Sequence, residues 1–182
     1  VYYHHAKVAS GAMVARAVEL VLSSGGVSEE DFYDQTDASV VDLLERGAIS
    51  ALMMNGAGCV HDLELAMMGR TSEDVAEALD DGSFGMAGDT SEPLNRAIAR
   101  GADEGLGMGA AIGREILEGD YPHAQRSVLA AAARLDVPVT VHVAIGTDIH
   151  HMHPGADGAA LGATSYRDFE TLAGLVAALQ GG

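Results

Sequence analysis

The chain has 182 residues, 48% of them apolar, enough to bury a core of its own, which excludes a disordered tail. Its formal net charge is −17, with Lys7 the only lysine. That surface repels nucleic acid and anionic membrane and attracts a cationic partner such as a polyamine or a basic protein. The same acidity also fits solubility in a salty or GC-rich host. The longest apolar runs fall far short of the roughly 20 residues a membrane span needs. Val1-Tyr2-Tyr3-His4-His5 has neither the basic nor the apolar region of a signal peptide. One cysteine, Cys59, sits in an apolar setting and points to a reducing, cytoplasmic location.

In chain order, the spacing of Met13, Ala17, Leu20 and Val21 predicts a helix over 10–24, stopped by Gly25-Gly26. Residues 27–36 are polar and acidic and read as a loop. A short helix is expected over 38–46, closed by Gly47. The apolar run 49–54 has the length of a buried parallel strand and breaks at Asn55-Gly56-Ala57-Gly58. A helix over 60–68 follows and ends at Gly69. Thr71, with Asp74 three residues on, opens another that runs to about Leu79. Asp80 to Gly88 reads as a surface loop. From Ser91, with Pro93 in the first turn, a helical region runs to Leu117 with a break around 105–109. A helix over 123–135 precedes the second strand, 137–145, nearly continuous in Val and Ile. A loop over 146–162 and a helix over 165–179 follow.

Two buried-type strands separated by helices predict one α/β domain over residues 1–182, built on an open, mostly parallel sheet. The chain does not start on methionine, and Gly181-Gly182 come directly after a helix, where such a sheet would continue into another strand. The expectation is therefore a fragment of a longer chain, or a sheet completed by another subunit.

Ligands in such sheets bind beyond the carboxyl ends of the strands. Two segments occupy that position. In Asn55-Gly56-Ala57-Gly58, small residues let a ligand approach the backbone, and the helix start favours anions. This is not the G-x-G-x-x-G fingerprint. His61, Asp62 and Glu64 follow in the first turns, close enough to act, although the two acids also simply favour the helix dipole. The second segment runs from His142 through Gly146-Thr147-Asp148 to His150, His151 and His153. Histidines near neutrality suit proton transfer, and the same group suits a divalent metal. His142 also reads as a core histidine bonded to backbone. Asp157 stands in a further glycine-rich turn, read as a lid or as an ordinary loop.

The piece Asn55-Gly56-Ala57-Gly58-Cys59-Val60-His61-Asp62 resembles the segment of archaeal-type deoxyhypusine synthases in which a strand runs into Thr-Gly-Ala-Asn and then His-Asp. Val137-Pro138-Val139 through Gly146-Thr147-Asp148 resembles their later strand. Bacterial deoxyhypusine-synthase-like proteins of unassigned function are more similar still. They carry pieces like Thr71-Ser72-Glu73-Asp74-Val75 and Asp81-Gly82-Ser83-Phe84-Gly85-Met86. The resemblance covers roughly residues 40–180 and leaves 1–36 poorly matched.

The resemblance implies a Rossmann-like domain that binds NAD and assembles as a homotetramer. Asn55, Gly56, Ala57, Gly58, Thr147 and Asp148 would contact the dinucleotide, with Asp148 on a ribose hydroxyl or the substrate amine. His61 or His151 would move protons, and Asp62 and Asp157 would attract a small cationic amine. The family's transfer through a lysine imine finds no lysine in the matching region. Two alternatives stand beside this reading. One is a metal-dependent hydrolase using His142, His151, His153 and Asp148. The other is a non-catalytic α/β subunit.

Overall fold

Two four-residue strands lie parallel, β1 (Leu52–Asn55) and β2 (Val139–His142), in a register that runs from Leu52 opposite Val139 to Asn55 opposite His142. This computed structural model describes residues 37–70 and 88–178. They belong to one compact unit, residues 37–182, distinct from residues 1–36. The expected helix over 10–24, the loop over 27–36, the helix opened by Thr71 and nearly all of the loop from Asp80 lie outside the described residues.

The described part is α/β in class, mostly helical around the small parallel sheet. Helix α1 (Asp37–Glu45) precedes β1, and Gly47, with φ of +68°, turns the chain out of it. Helix α2 (Gly56–Met68) leaves β1 directly and stops at Gly69 in the left-handed conformation. Helices α3 (Gly88–Glu104) and α4 (Met108–Glu118) are divided at the expected break, where Gly105 takes φ of +72°. Helix α5 (Val128–Leu135) leads into β2, and α6 (Gly158–Ala178) closes the described chain. Leu63, Leu94, Ile98, Ile112, Ile116, Leu129 and Val141 meet in one buried core beneath these helices. Gly109 lets α4 sit directly on β2, since a methyl group there would strike the Val139 carbonyl. Among the described residues no helix is long and apolar enough to cross a membrane.

β2 is shorter than the expected 137–145. The strand starts after Pro138, whose carbonyl accepts the Leu52 N–H at 2.9 Å. Past His142 the chain curls, because the Ala144 N–H donates to the Asp148 carboxylate instead of a neighbouring strand. The free edge of β2 is met by side chains of α6. The Val141 N–H donates to Asp168 Oδ2 at 2.8 Å, and Ser165 Oγ lies 3.4 Å from both the Val141 carbonyl and the Val143 N–H. A helix thus satisfies the backbone groups that a further strand would have paired. The extra strand expected from the sequence has no open edge at this side of the sheet.

Three helix boundaries also shift for side-chain reasons. α2 begins at Gly56 rather than residue 60, because Asn55 accepts the Gly58 N–H. The expected 123–135 helix is divided into a 3-10 turn (Ala124–Arg126) and α5, with Ser127 as cap between them. α6 begins at Gly158, because Asp157 Oδ1 accepts the Ala159 N–H at 2.8 Å.

Candidate functional site at the strand ends

Parallel pairing places the ends of both strands together, with Asn55 beside His142. Asn55 leaves β1 with extended backbone, and its Oδ1 accepts the Gly58 N–H at 2.9 Å. One of the free amides at the start of α2 is therefore already bonded. Gly56, the first helical residue, is buried, while Ala57 is exposed.

The segment after β2 folds back on itself. Both the N–H and Oγ1 of Thr147 donate to the Ala144 carbonyl, at 3.0 and 2.9 Å, and Gly146 takes φ of +88° to allow it. Asp148 Oδ2 then accepts the Ala144 N–H at 2.8 Å. This turn delivers the Asp148 carboxylate onto the α-carbon of Gly56, where any Cβ would overlap it. The two segments singled out in the sequence thus meet in space. Asp148 is half-buried, and among the described residues no donor bonds its Oδ1. Behind it Cys59 is fully buried and donates to the Gly56 carbonyl at 3.0 Å. Burial, then the negative charges of Asp148 and Asp62, pushes its thiol far up, which keeps it neutral and unreactive.

The histidines divide into different settings. His142 is half-buried and pairs with Thr140 Oγ1 two residues back, at 3.0 Å, and burial holds its imidazole below the ordinary range. His151 Nδ1 receives the Gly146 N–H at 3.4 Å, so a neutral His151 carries its proton on Nε2. His153 turns away, its Nδ1 accepting the Gly155 N–H at 3.1 Å. His150, counted in that group but given no role of its own, is fully buried, and among the described residues neither ring nitrogen has a hydrogen-bond partner. Burial, and secondarily His151, pushes its imidazole down to about 4. The Asn95 side chain on α3 holds this segment by donating to the His150 carbonyl at 3.0 Å. The apolar residues Ile149 and Met152 around the His-His pair were the only sequence sign of an inward histidine.

The remaining candidates stand elsewhere. His61 points to solvent from the same face of α2 as Ala57. Asp62 is buried, with Ser127 Oγ at 2.5 Å, the Val128 N–H at 2.7 Å and the Leu129 N–H at 3.1 Å all donating to it. Its carboxylate caps α5 rather than facing the strand ends. Asp157 caps α6. Asp168 escaped notice because an acid within the charged stretch Arg167-Asp168-Phe169-Glu170 reads as a surface residue. It is in fact buried, and it bonds the N–H groups of Gly109 and Val141 at 2.9 and 2.8 Å. Among the described residues no three His, Cys, Asp or Glu side chains stand where they could share a metal. His142, His151, His153 and Asp148 are therefore not gathered into the ligand set of the hydrolase alternative.

The fold and site define an α/β protein with helices around a parallel strand pair and an acidic, histidine-bearing cluster at the carboxyl ends of those strands. No family model, curated protein or solved structure matches the chain.

Proposed function

We propose that this chain is an enzyme of deoxyhypusine-synthase-like type that holds a small cationic amine at the ends of β1 and β2, with NAD as its redox partner. A Rossmann-like domain and a homotetramer belong to the same proposal. The observation that carries it is Asp148, a half-buried carboxylate fixed by one backbone amide, lying on a glycine and keeping Oδ1 free to accept. Such an acceptor takes an ammonium or a ribose hydroxyl. The net charge of −17 works in the same direction, raising the local concentration of cations.

The fit to NAD is partial. A ribose hydroxyl suits Asp148 Oδ1. The diphosphate is disfavoured at the start of α2, where Asn55 already bonds an amide and the Asp148 carboxylate brings negative charge to the same helix end. When bound, NAD would supply the hydride acceptor. The chain's own part is to bind the amine at Asp148. The cation site is the better supported half of this reading.

The test is calorimetric titration of spermidine, and separately of NAD, into the full chain and into Asp148→Asn. Spermidine is expected to bind the parent chain and to bind the variant about 10- to 100-fold more weakly, the worth of one charge-assisted hydrogen bond. Absence of heat with both ligands sinks the proposal. NAD binding without spermidine binding removes the amine from it.

A further inference from the structure

His150 and His151 lie between Gly146, with φ of +88°, and the corner at Pro154-Gly155, on the same short stretch of chain as Asp148. That stretch is tied within itself. The His151 N–H donates to the Asp148 carbonyl at 3.1 Å, and the Gly146 N–H to His151 Nδ1 at 3.4 Å. Among the described residues a single hydrogen bond reaches positions 145–155 from another element, from Asn95 Nδ2 on α3 to the His150 carbonyl at 3.0 Å. Ile149 adds a partly buried apolar contact with the core.

The same place gathers polar atoms with nothing to bond. Both His150 ring nitrogens, His151 Nε2 and Asn95 Oδ1 are buried without a partner among the described residues. Flipping the Asn95 amide brings no relief. Its Nδ2 already serves two carbonyls, Ser91 at 2.9 Å and His150 at 3.0 Å, and an oxygen there could bond neither. The two rings meet edge to face with centroids 4.3 Å apart, and His150 gains no hydrogen bond from its neighbour. Closing this stretch therefore strips water from four polar groups and returns one bond to α3. Each unmatched group disfavours the closed arrangement by at least what a usual hydrogen bond restores.

We propose that residues 146–155 form a strap that opens as a unit while the core stays folded, hydrating the His150 and His151 rings and lifting the Asp148 carboxylate off Gly56. Hydration of the unmatched groups drives opening, and the Asn95 bond and the Ile149 contact oppose it. Segments of low local stability are the ones that move at binding sites. Asp148 travels with the strap, so its Oδ1 is presented at the strand ends only in the closed form. A cation held there shifts the strap towards closure. The inference rests on the buried atoms around His150 and not on the amine reading.

Modification of the full chain by diethyl pyrocarbonate at neutral pH, read at each histidine by peptide mass spectrometry, tests it. Each rate is normalised to that of the urea-unfolded chain. Thiol labelling of Cys59, fully buried in the core, reports opening of the core itself. His150 is expected to react roughly 10- to 1,000-fold more slowly than the exposed His61, yet at least ~10-fold faster than Cys59 is labelled. His150→Leu removes two of the unmatched atoms and keeps an apolar side chain of similar size. It should slow modification of His151 about 10-fold, with unchanged circular dichroism. Reaction of His150 no faster than labelling of Cys59 overturns the proposal and assigns the buried nitrogens to trapped water instead. A His150 as reactive as His61 overturns it too, since no closed form would then exist to open. So do equal His151 rates in the parent chain and in His150→Leu.

Discussion

The Asp148 carboxylate rests on the α-carbon of Gly56, and a methyl group at residue 56 would overlap both its Oδ2 and its Cγ. A tight turn after one strand thereby delivers an acid to the helix start after the other. Gly56→Ala must push the carboxylate off the Ala144 N–H. The expected cost is about 1–2 kcal/mol in urea unfolding, one charge-assisted hydrogen bond. A variant as stable as the parent would mean that the carboxylate moves aside freely.

Asp62 serves as a second cap for α5. Asp62→Ala leaves the Val128 and Leu129 N–H groups and the Ser127 hydroxyl without their acceptor. Destabilisation of about 3 kcal/mol is expected, against about 1 kcal/mol for Ser127→Ala, which removes only the bond to the Ala130 N–H and the hydroxyl's bond to Asp62. Chemical denaturation of the two variants checks the order. If Asp62→Ala instead left stability intact and abolished ligand binding, Asp62 would have the catalytic role expected from its place after His61.

Asp168 holds α4 and β2 together through two buried N–H groups. Asp168→Ala strands both and should cost about 2–4 kcal/mol. Asp168→Asn, which still offers one acceptor, should cost less. Equal losses for the two would show that packing rather than hydrogen bonding is what Asp168 contributes.

Two buried groups titrate in opposite senses across one pH window. Burial raises Asp168 to about 6, although the Val141 and Gly109 amides pull it down. An unfolded aspartate titrates near about 3.9, so the Asp168 contribution is complete below that pH and is lost as pH rises through 6. Burial lowers His150 to about 4. An unfolded histidine titrates near about 6.5, so its contribution is complete above that pH and is lost as pH falls through 4. In the parent chain the two slopes largely cancel. In Asp168→Asn, stability should rise by about 2–3 kcal/mol from pH 4 to 6.5, and in His150→Phe it should fall by a similar amount. Urea midpoints at several pH values check this, and three parallel profiles would refute it.

Much of the local structure was legible. Gly47 and Gly69 ended helices where expected, and the break near Gly105 fell between α3 and α4, because left-handed backbone at a helix end favours glycine. The meeting of the Asn55–Gly58 and Thr147-Asp148 segments follows from parallel pairing of two apolar strands, and periodicity finds such strands. The length of β2 was not legible. Val143, Ala144 and Ile145 continue an apolar run, yet Asp148 takes the Ala144 N–H and ends the strand. Nor was the division of the 123–135 helix, since Ser127 becomes a cap only when Asp62, far away in sequence, arrives beside it.

The sequence by itself determined the α/β class, the order of most elements and the two strand-end segments on which chemistry was expected. These depend on local spacing and on residues whose backbone preferences act without neighbours. Tertiary structure decided which charged and polar groups remain available. It turned Asp62 to the start of α5, Asp168 to the edge of β2 and His150 into the interior, and it left Asp148 with a free oxygen on Gly56. Burial and hydrogen-bond partners come from segments distant in the chain, and no local pattern records which acid will meet which amide.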